Sequence, residues 1–179
     1  AKSVALRQLP EGRHEPRADR VVQAGMRMFY LRLNKLYAQG RGGNERLVFD
    51  ATALPGKGPR LELLAVEMSN DGERGLVFLG DARNRTLAVL DARSGALGTE
   101  RIVGVQSGAW LSSHRLIYAT AKGLRLHDVG GDPARDATVN APGASPVVAA
   151  FPRSTWAIAT TEEGVFAAPA GTLGADTKW

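Results

Sequence analysis

The residues able to do covalent or metal chemistry are few in this chain, and they are scattered. Its 179 residues include three histidines, His14, His114 and His127, and no cysteine. The missing thiols exclude disulfides, Cys-ligated zinc, iron–sulfur clusters and a thiol nucleophile. Nucleophilic catalysis needs a base beside a nucleophile. Ser112, Ser113 and His114 are adjacent, but they fall between two short apolar runs, where a turn is expected. The stretch Gly104-Val105-Gln106-Ser107-Gly108 lacks the spacing of a nucleophile elbow. Metal ligation needs clustered His and carboxylate groups, and each histidine here stands alone. His127 precedes Asp128 at the end of an apolar run, where hydrogen bonding to the following turn is the default expectation.

Phosphate and cation loops fare no better. Gly56-Lys57-Gly58 lacks the first glycine and the hydroxyl residue of a phosphate-binding loop, and the glycines at 40, 42 and 43 precede no helix. Asp71 and Asp81 sit among turn formers, where such a side chain bonds its own backbone, and no calcium-loop spacing surrounds them. Asn84-Arg85-Thr86 is formally a glycosylation triplet. The sequence therefore predicts no catalytic, metal or cofactor site.

The elements that position these residues come from a repeat. Leu36-Tyr37-Ala38, Leu76-Val77-Phe78, Leu116-Ile117-Tyr118 and Trp156-Ala157-Ile158 stand at steps of 40 residues. Each is followed by a turn-like stretch and then a second apolar run, around residues 47–49, 87–90, 124–126 and 165–167. Upstream runs at 28–33, 63–68, 108–111 and 147–151 supply another strand per unit, and weaker ones at 20–22, 60–64, 101–105 and 137–139 a fourth. Short β-rich runs between Gly, Asn and Asp turns read as antiparallel strands, and no segment sustains helical spacing. Four such strands per 40-residue unit is the arithmetic of an all-β propeller, in which each blade buries its faces against its neighbours. The expected blades span 23–62, 63–102, 103–142 and 143–179, with residues 1–22 supplying the end strands of a preceding or closing blade.

One unit carries a resemblance. Ser69-Asn70-Asp71-Gly72, Leu76-Val77-Phe78-Leu79-Gly80-Asp81 and Leu87-Ala88-Val89-Leu90-Asp91-Ala92-Arg93-Ser94-Gly95 together resemble a WD40-like or bacterial YVTN- or PD40-type blade. The third unit matches less fully, and the first and fourth match by spacing. The Gly-His and Trp-Asp pairs of true WD40 repeats are missing. The resemblance implies a fold and not an activity. The phasing leaves surplus strands at the start, with Val4-Ala5-Leu6 as one, and no clear fourth strand in the last unit. An arc of a larger ring is expected over a closed four-bladed ring.

Charge adds one pattern. Residues 1–60 carry 12 Lys and Arg against 5 Asp and Glu, within a net charge of +5. The 40-residue phasing places Arg41, Arg83 and Lys122 in equivalent turns on one face of the ring, as candidate basic contacts to an acidic partner or a backbone phosphate. No run of about 18 apolar residues appears, so no helical membrane span is expected. Cytoplasmic and extracytoplasmic settings both fit. The primary functional reading is a non-enzymatic scaffold for protein–protein interaction in a larger assembly, pairing with further blades on another chain. Two alternatives stand beside it. One is the propeller portion of a lactonase-, quinoprotein- or peptidase-like enzyme. The other is an anionic-surface or nucleic-acid binder acting through the basic N-terminal third.

Overall fold

The computed structural model describes residues 20–54, 61–81, 84–144, 146–150 and 155–179. His14, Arg83, the strand expected at residues 4–6 and Gly56-Lys57-Gly58 lie outside the described residues. Among the described residues fifteen strands form four antiparallel sheets, each built from consecutive strands. The first sheet contains β1 (Arg20–Ala24), β2 (Arg27–Arg32), β3 (Lys35–Gln39) and β4 (Glu45–Asp50). The second contains β5 (Glu62–Met68), β6 (Arg74–Gly80), β7 (Arg85–Asp91) and β8 (Ile102–Val103). The third contains β9 (Val105–Trp110), β10 (Arg115–Thr120), β11 (Gly123–Asp128) and β12 (Ala137–Val139). The fourth has three strands, β13 (Val147–Ala150), β14 (Trp156–Thr161) and β15 (Gly164–Pro169). This is the expected all-β architecture of propeller blades.

The phasing of the first unit needs correction. Arg20–Ala24 pairs with β2 and opens the first sheet, so the boundary expected at 22/23 falls inside β1. Leu36 consequently lies in the third strand of its sheet, whereas Leu76, Leu116 and Trp156 lie in second strands. The cause is local. Leu33 and Asn34 both adopt positive φ, 51° and 63°. They close a two-residue hairpin of the type that suits the right-handed strand twist. With the equally short turn at Gly25-Met26 it fits three strands into residues 20–39, where the second sheet uses 62–91, so the 40-residue step lands one strand further along. The fourth strand expected at 60–64 is likewise the start of β5, and that expected at 101–105 divides at Gly104 into β8 and the start of β9.

Burial along the second strands shows where each sheet sits. In β6, Leu76 to Leu79 are all buried, and in β10 Leu116 to Ala119 are all buried. A strand with no polar face belongs to a sheet covered on both sides. In β2 only alternate residues, Phe29 and Leu31, are buried, and in β14 only Ala157 and Ala159. Those strands belong to end sheets covered on one side. Three cores follow. Phe29, Leu31 and Leu36 meet Leu63, Val66 and Val77 between the first and second sheets. Leu76, Phe78 and Leu87 meet Val105, Trp110 and Leu116 between the second and third. Ala109, Ile117 and Leu124 meet Val148 and Ala159 between the third and fourth. Fully burying one such leucine or isoleucine contributes about 1.5–3 kcal/mol.

Single hydrogen bonds set the register between sheets. Leu63 N–H donates to Asn34 Oδ1 at 3.1 Å, Trp110 Nε1–H to the Glu67 carbonyl at 3.0 Å, and Val148 N–H to Ser107 Oγ at 3.0 Å. The turns are held by carboxylates. Asp91 Oδ1 accepts from Arg93 N–H, Ser94 N–H and Ser94 Oγ–H, and Asp71 Oδ1 accepts from Ser69 Oγ–H and Glu73 N–H. The Ser94 backbone and hydroxyl hold the Asp91 carboxyl below its ordinary 3.8, and the Ser69 hydroxyl does the same for Asp71. A carboxyl lowered in the folded state contributes stability above its unfolded value and loses it as pH falls through the folded value. The urea midpoint is therefore expected to fall steadily below about pH 4, and the Asp91→Asn chain to show a shallower fall. Parallel pH profiles for the two chains would contradict this account of the turn.

Candidate functional site

The two candidate basic turns among the described residues, at Arg41 and Lys122, do not share a face. Arg41 lies in the turn after β3, the third strand of its sheet, and Lys122 in the turn after β10, the second strand of its sheet. Antiparallel connections alternate between the two ends of a sheet, so the two side chains sit at opposite ends. The one-strand shift in the first unit is the physical reason. Lys122 instead lies with cations that the repeat pattern did not single out. It lines a groove of about 490 Å³ between the outer part of the second sheet and the third, together with Arg101 and Arg125. Ile102, Val103 and Pro133 give the groove an apolar side, and Tyr118 stands at its back.

Behind that groove lies a buried polar cluster. His127 Nδ1–H donates to Asp136 Oδ1 at 2.8 Å, and Tyr118 Oη–H donates to Asp136 Oδ2 at 2.7 Å. Arg125 Nη1–H reaches the Asp136 carbonyl at 3.3 Å. Tyr118 and His127 are buried, and His127 Nε2 has no hydrogen-bond partner among the described residues. Burial, then the Asp136 hydrogen bond, pushes the Tyr118 phenol well above its ordinary value. β10 supplies Tyr118, β11 supplies His127, and Asp136 follows the 3₁₀ turn Pro133–Arg135. The expected bond from His127 to the next turn is thus made to a carboxylate nine residues on. His114 is exposed in the turn between β9 and β10, with Ser113 Oγ at 3.5 Å from its Nδ1. Among the described residues no group of three His, Cys, Asp or Glu side chains could hold a metal ion.

Two further surfaces matter. A cavity of about 430 Å³ lies on the inner row of strands, lined by the ends of β1, β5 and β13, with Gln23, Glu67, Ser69 and Asn70 beside aliphatic neighbours. The outer faces of the two end sheets are the other. On the fourth sheet Val147 is 56% exposed, Val165 72% and Trp156 49%, with Ala149 and Ala167 on the same face. On the first sheet Val21, Met28 and Leu47 are exposed beside a more polar network. There Tyr30 stacks on Tyr37 at 5.6 Å, Arg32 lies 4.4 Å over the Tyr37 ring, and Glu45 accepts from Tyr30 and Arg32.

In sequence, no protein-family model and no curated protein matches this chain. In structure the likeness is clear. A prolyl endopeptidase chain aligns with a TM-score of 0.71 at 20% identity, over 88% of this chain and 28% of that one. Prolyl oligopeptidase B from Galerina marginata aligns at 0.65 and 12% identity, over 89% of this chain and 29% of that one. A chain of the mitotic checkpoint complex aligns at 0.56 and 16% identity, over 99% of this chain and 61% of that one. At these identities the likeness shows fold alone, and the chain spans less than two thirds of each neighbour. The four sheets are a partial β-propeller. No helix among the described residues is long and apolar enough to cross a membrane.

Proposed function

We propose that this propeller arc is a non-enzymatic interaction scaffold whose fourth sheet docks another blade-type sheet, supplied by a second copy of the chain. The observation that carries the reading is the outer face of that sheet. Val147 and Val165 stand exposed on it, while Val148 and Ala159 on its inner face are buried against the third sheet. The outer face is apolar apart from Thr160 between the two valines, and the internal junctions show what such faces do when a neighbour is present. Large contiguous apolar patches on a chain this size mark interaction surfaces.

The second copy is favoured by continuity. The first sheet leaves Val21, Met28 and Leu47 exposed on its own outer face. In a two-fold pair, the fourth sheet of each copy covers the first sheet of the other, and no blade face is left open. Such a pair repeats the internal junctions in kind, with the aromatic and charged network of the first sheet setting register.

The test is sedimentation of the chain and of Val165→Glu over a range of concentrations. Val165 is exposed, so the substitution leaves the fold intact by circular dichroism. The expected result is a reversible dimer for the parent chain and a monomer for the variant. A parent chain that remains monomeric throughout, or a variant that dimerises equally well, overturns the reading.

A further inference from the structure

We infer that the groove between the second and third sheets binds an extended acidic peptide presented by a protein partner. Three cations, Arg101, Lys122 and Arg125, line a space of about 490 Å³ that has no carboxylate among the described residues of its lining. Among the described residues, five cations elsewhere are neutralised, while others, such as Arg46 and Arg74, bond backbone carbonyls only. Arg27, Arg32, Lys35, Arg115 and Arg135 each face an Asp or Glu within 4.0 Å. Among the described residues none of the three groove cations forms an ion pair. Arg101 donates to the carbonyls of Gly98 and Glu100, and Arg125 to the carbonyl of Asp136. Those backbone acceptors orient the guanidinium groups without neutralising them. Asp136 lies behind the wall with one carboxylate oxygen taken by His127 and the other by Tyr118. The Glu100 carboxylate lies against Gly98.

The shape selects the kind of anion. The space exceeds what one carboxylate or phosphate fills, and its other side is apolar, formed by Ile102, Val103 and Pro133. An extended strand presents successive side chains to opposite sides, so acidic residues alternating with apolar ones match both walls at once. Nucleic acid fits less well. Tyr118 is the aromatic residue of the lining, and it is buried with its hydroxyl bound to Asp136, so it offers no ring for base stacking. The groove is separate from the apolar face of the fourth sheet, and the two proposals stand or fall independently.

The experiment is fluorescence anisotropy on the full chain with a labelled octapeptide of alternating Glu and Val. A Lys and Val counterpart, a thymidine oligonucleotide and inorganic phosphate serve as comparison probes. The variant is Arg101→Glu with Lys122→Glu, both exposed positions, checked by its melting temperature and by unchanged sedimentation. The acidic peptide is expected to bind saturably and to weaken several-fold between about 50 and about 300 mM salt. It is expected to weaken at least about tenfold in the double variant, since reversing two charges replaces attraction by repulsion. Equal binding of the Lys and Val peptide, or unchanged affinity in the variant, overturns the proposal. So does an oligonucleotide that binds more tightly than the peptide with the same dependence on the two cations. Competition by inorganic phosphate at concentrations matching the peptide reassigns the groove to simple anions and overturns it as well.

Discussion

Replacing Asp136 by alanine is expected to destabilise the chain by about 2–6 kcal/mol, because it leaves two buried hydrogen-bond donors without their acceptor. The carboxylate holds two buried donors, His127 Nδ1–H and Tyr118 Oη–H, at 2.8 and 2.7 Å. Without it both groups stay buried with nothing to accept their protons, and each unsatisfied group costs about 1–3 kcal/mol. The consequence reaches beyond one loop, because Tyr118 also packs with Phe78 and Leu87 in the core between the second and third sheets. Asp136→Asn keeps an acceptor for Tyr118 and is expected to cost less. His127→Leu also costs less than Asp136→Ala. It removes one donor but also Nε2, which has no partner among the described residues. Urea denaturation of the three variants measures this order. A larger loss from His127→Leu would mean that the imidazole, and not the carboxylate, organises the cluster.

Gly95→Ala is expected to cost about 2–4 kcal/mol and to act on the junction between the first two sheets. Gly95 has φ of 76°, and a Cβ there would stand 2.3 Å from the Val48 carbonyl oxygen of β4. That turn is also where Arg46 donates to the carbonyls of Ala92 and Arg93, at 2.7 and 3.0 Å. The side chain can be accommodated only by parting the turn from β4, which loosens Arg46 as well. Gly43→Ala is the control. Gly43 has nearly the same φ, 77°, with nothing within 4 Å of an added Cβ. It should lose only the backbone preference, about 1 kcal/mol. Thermal melts of the two variants separate close approach from dihedral strain, and equal losses would contradict the contact.

Much of the fold was legible because turn chemistry and strand length agreed in the same stretches. The unit from Ser69 to Gly95 announces both hairpins through Asp71 and Asp91, and the structure gives each carboxylate the backbone donors that make such turns. The third sheet was legible through its apolar runs, even though Asp128 pairs with Arg115 across the strands and does not cap a turn. The first sheet was misphased because the run at 20–22 reads as the last strand of a preceding blade. Its two short turns, at Gly25-Met26 and Leu33-Asn34, compress three strands into residues 20–39, so the 40-residue step lands one strand further along. The free faces of the end sheets gave no signal in residue type, since the second strands of all the sheets are apolar runs. Leu76-Val77-Phe78-Leu79 and Leu116-Ile117-Tyr118-Ala119 are unbroken apolar runs in sheets covered on both sides. Along Trp156-Ala157-Ile158-Ala159-Thr160 and Met28-Phe29-Tyr30-Leu31-Arg32 burial alternates, as it does in a sheet with one free face.

The basic groove was only half legible. Lys122 stood out as a turn cation, but Arg101 and Arg125 lie on strands or their margins and join it only through packing of β8 beside β10 and β11. The partners of His127 were invisible for the same reason, since Asp136 and Tyr118 meet it through tertiary contact and through no motif.

The claim that the arc is completed by a second copy, fourth sheet on first, is tested most directly by disulfide trapping. The chain has no cysteine, so single substitutions report cleanly. Val165→Cys marks the outer face of the fourth sheet and Leu47→Cys that of the first. Mixed under mild oxidation, the two variants are predicted to form the mixed disulfide faster than either forms its own. Preferential trapping of Val165→Cys with itself, or no trapping above the rate of unfolded chains, would contradict the account.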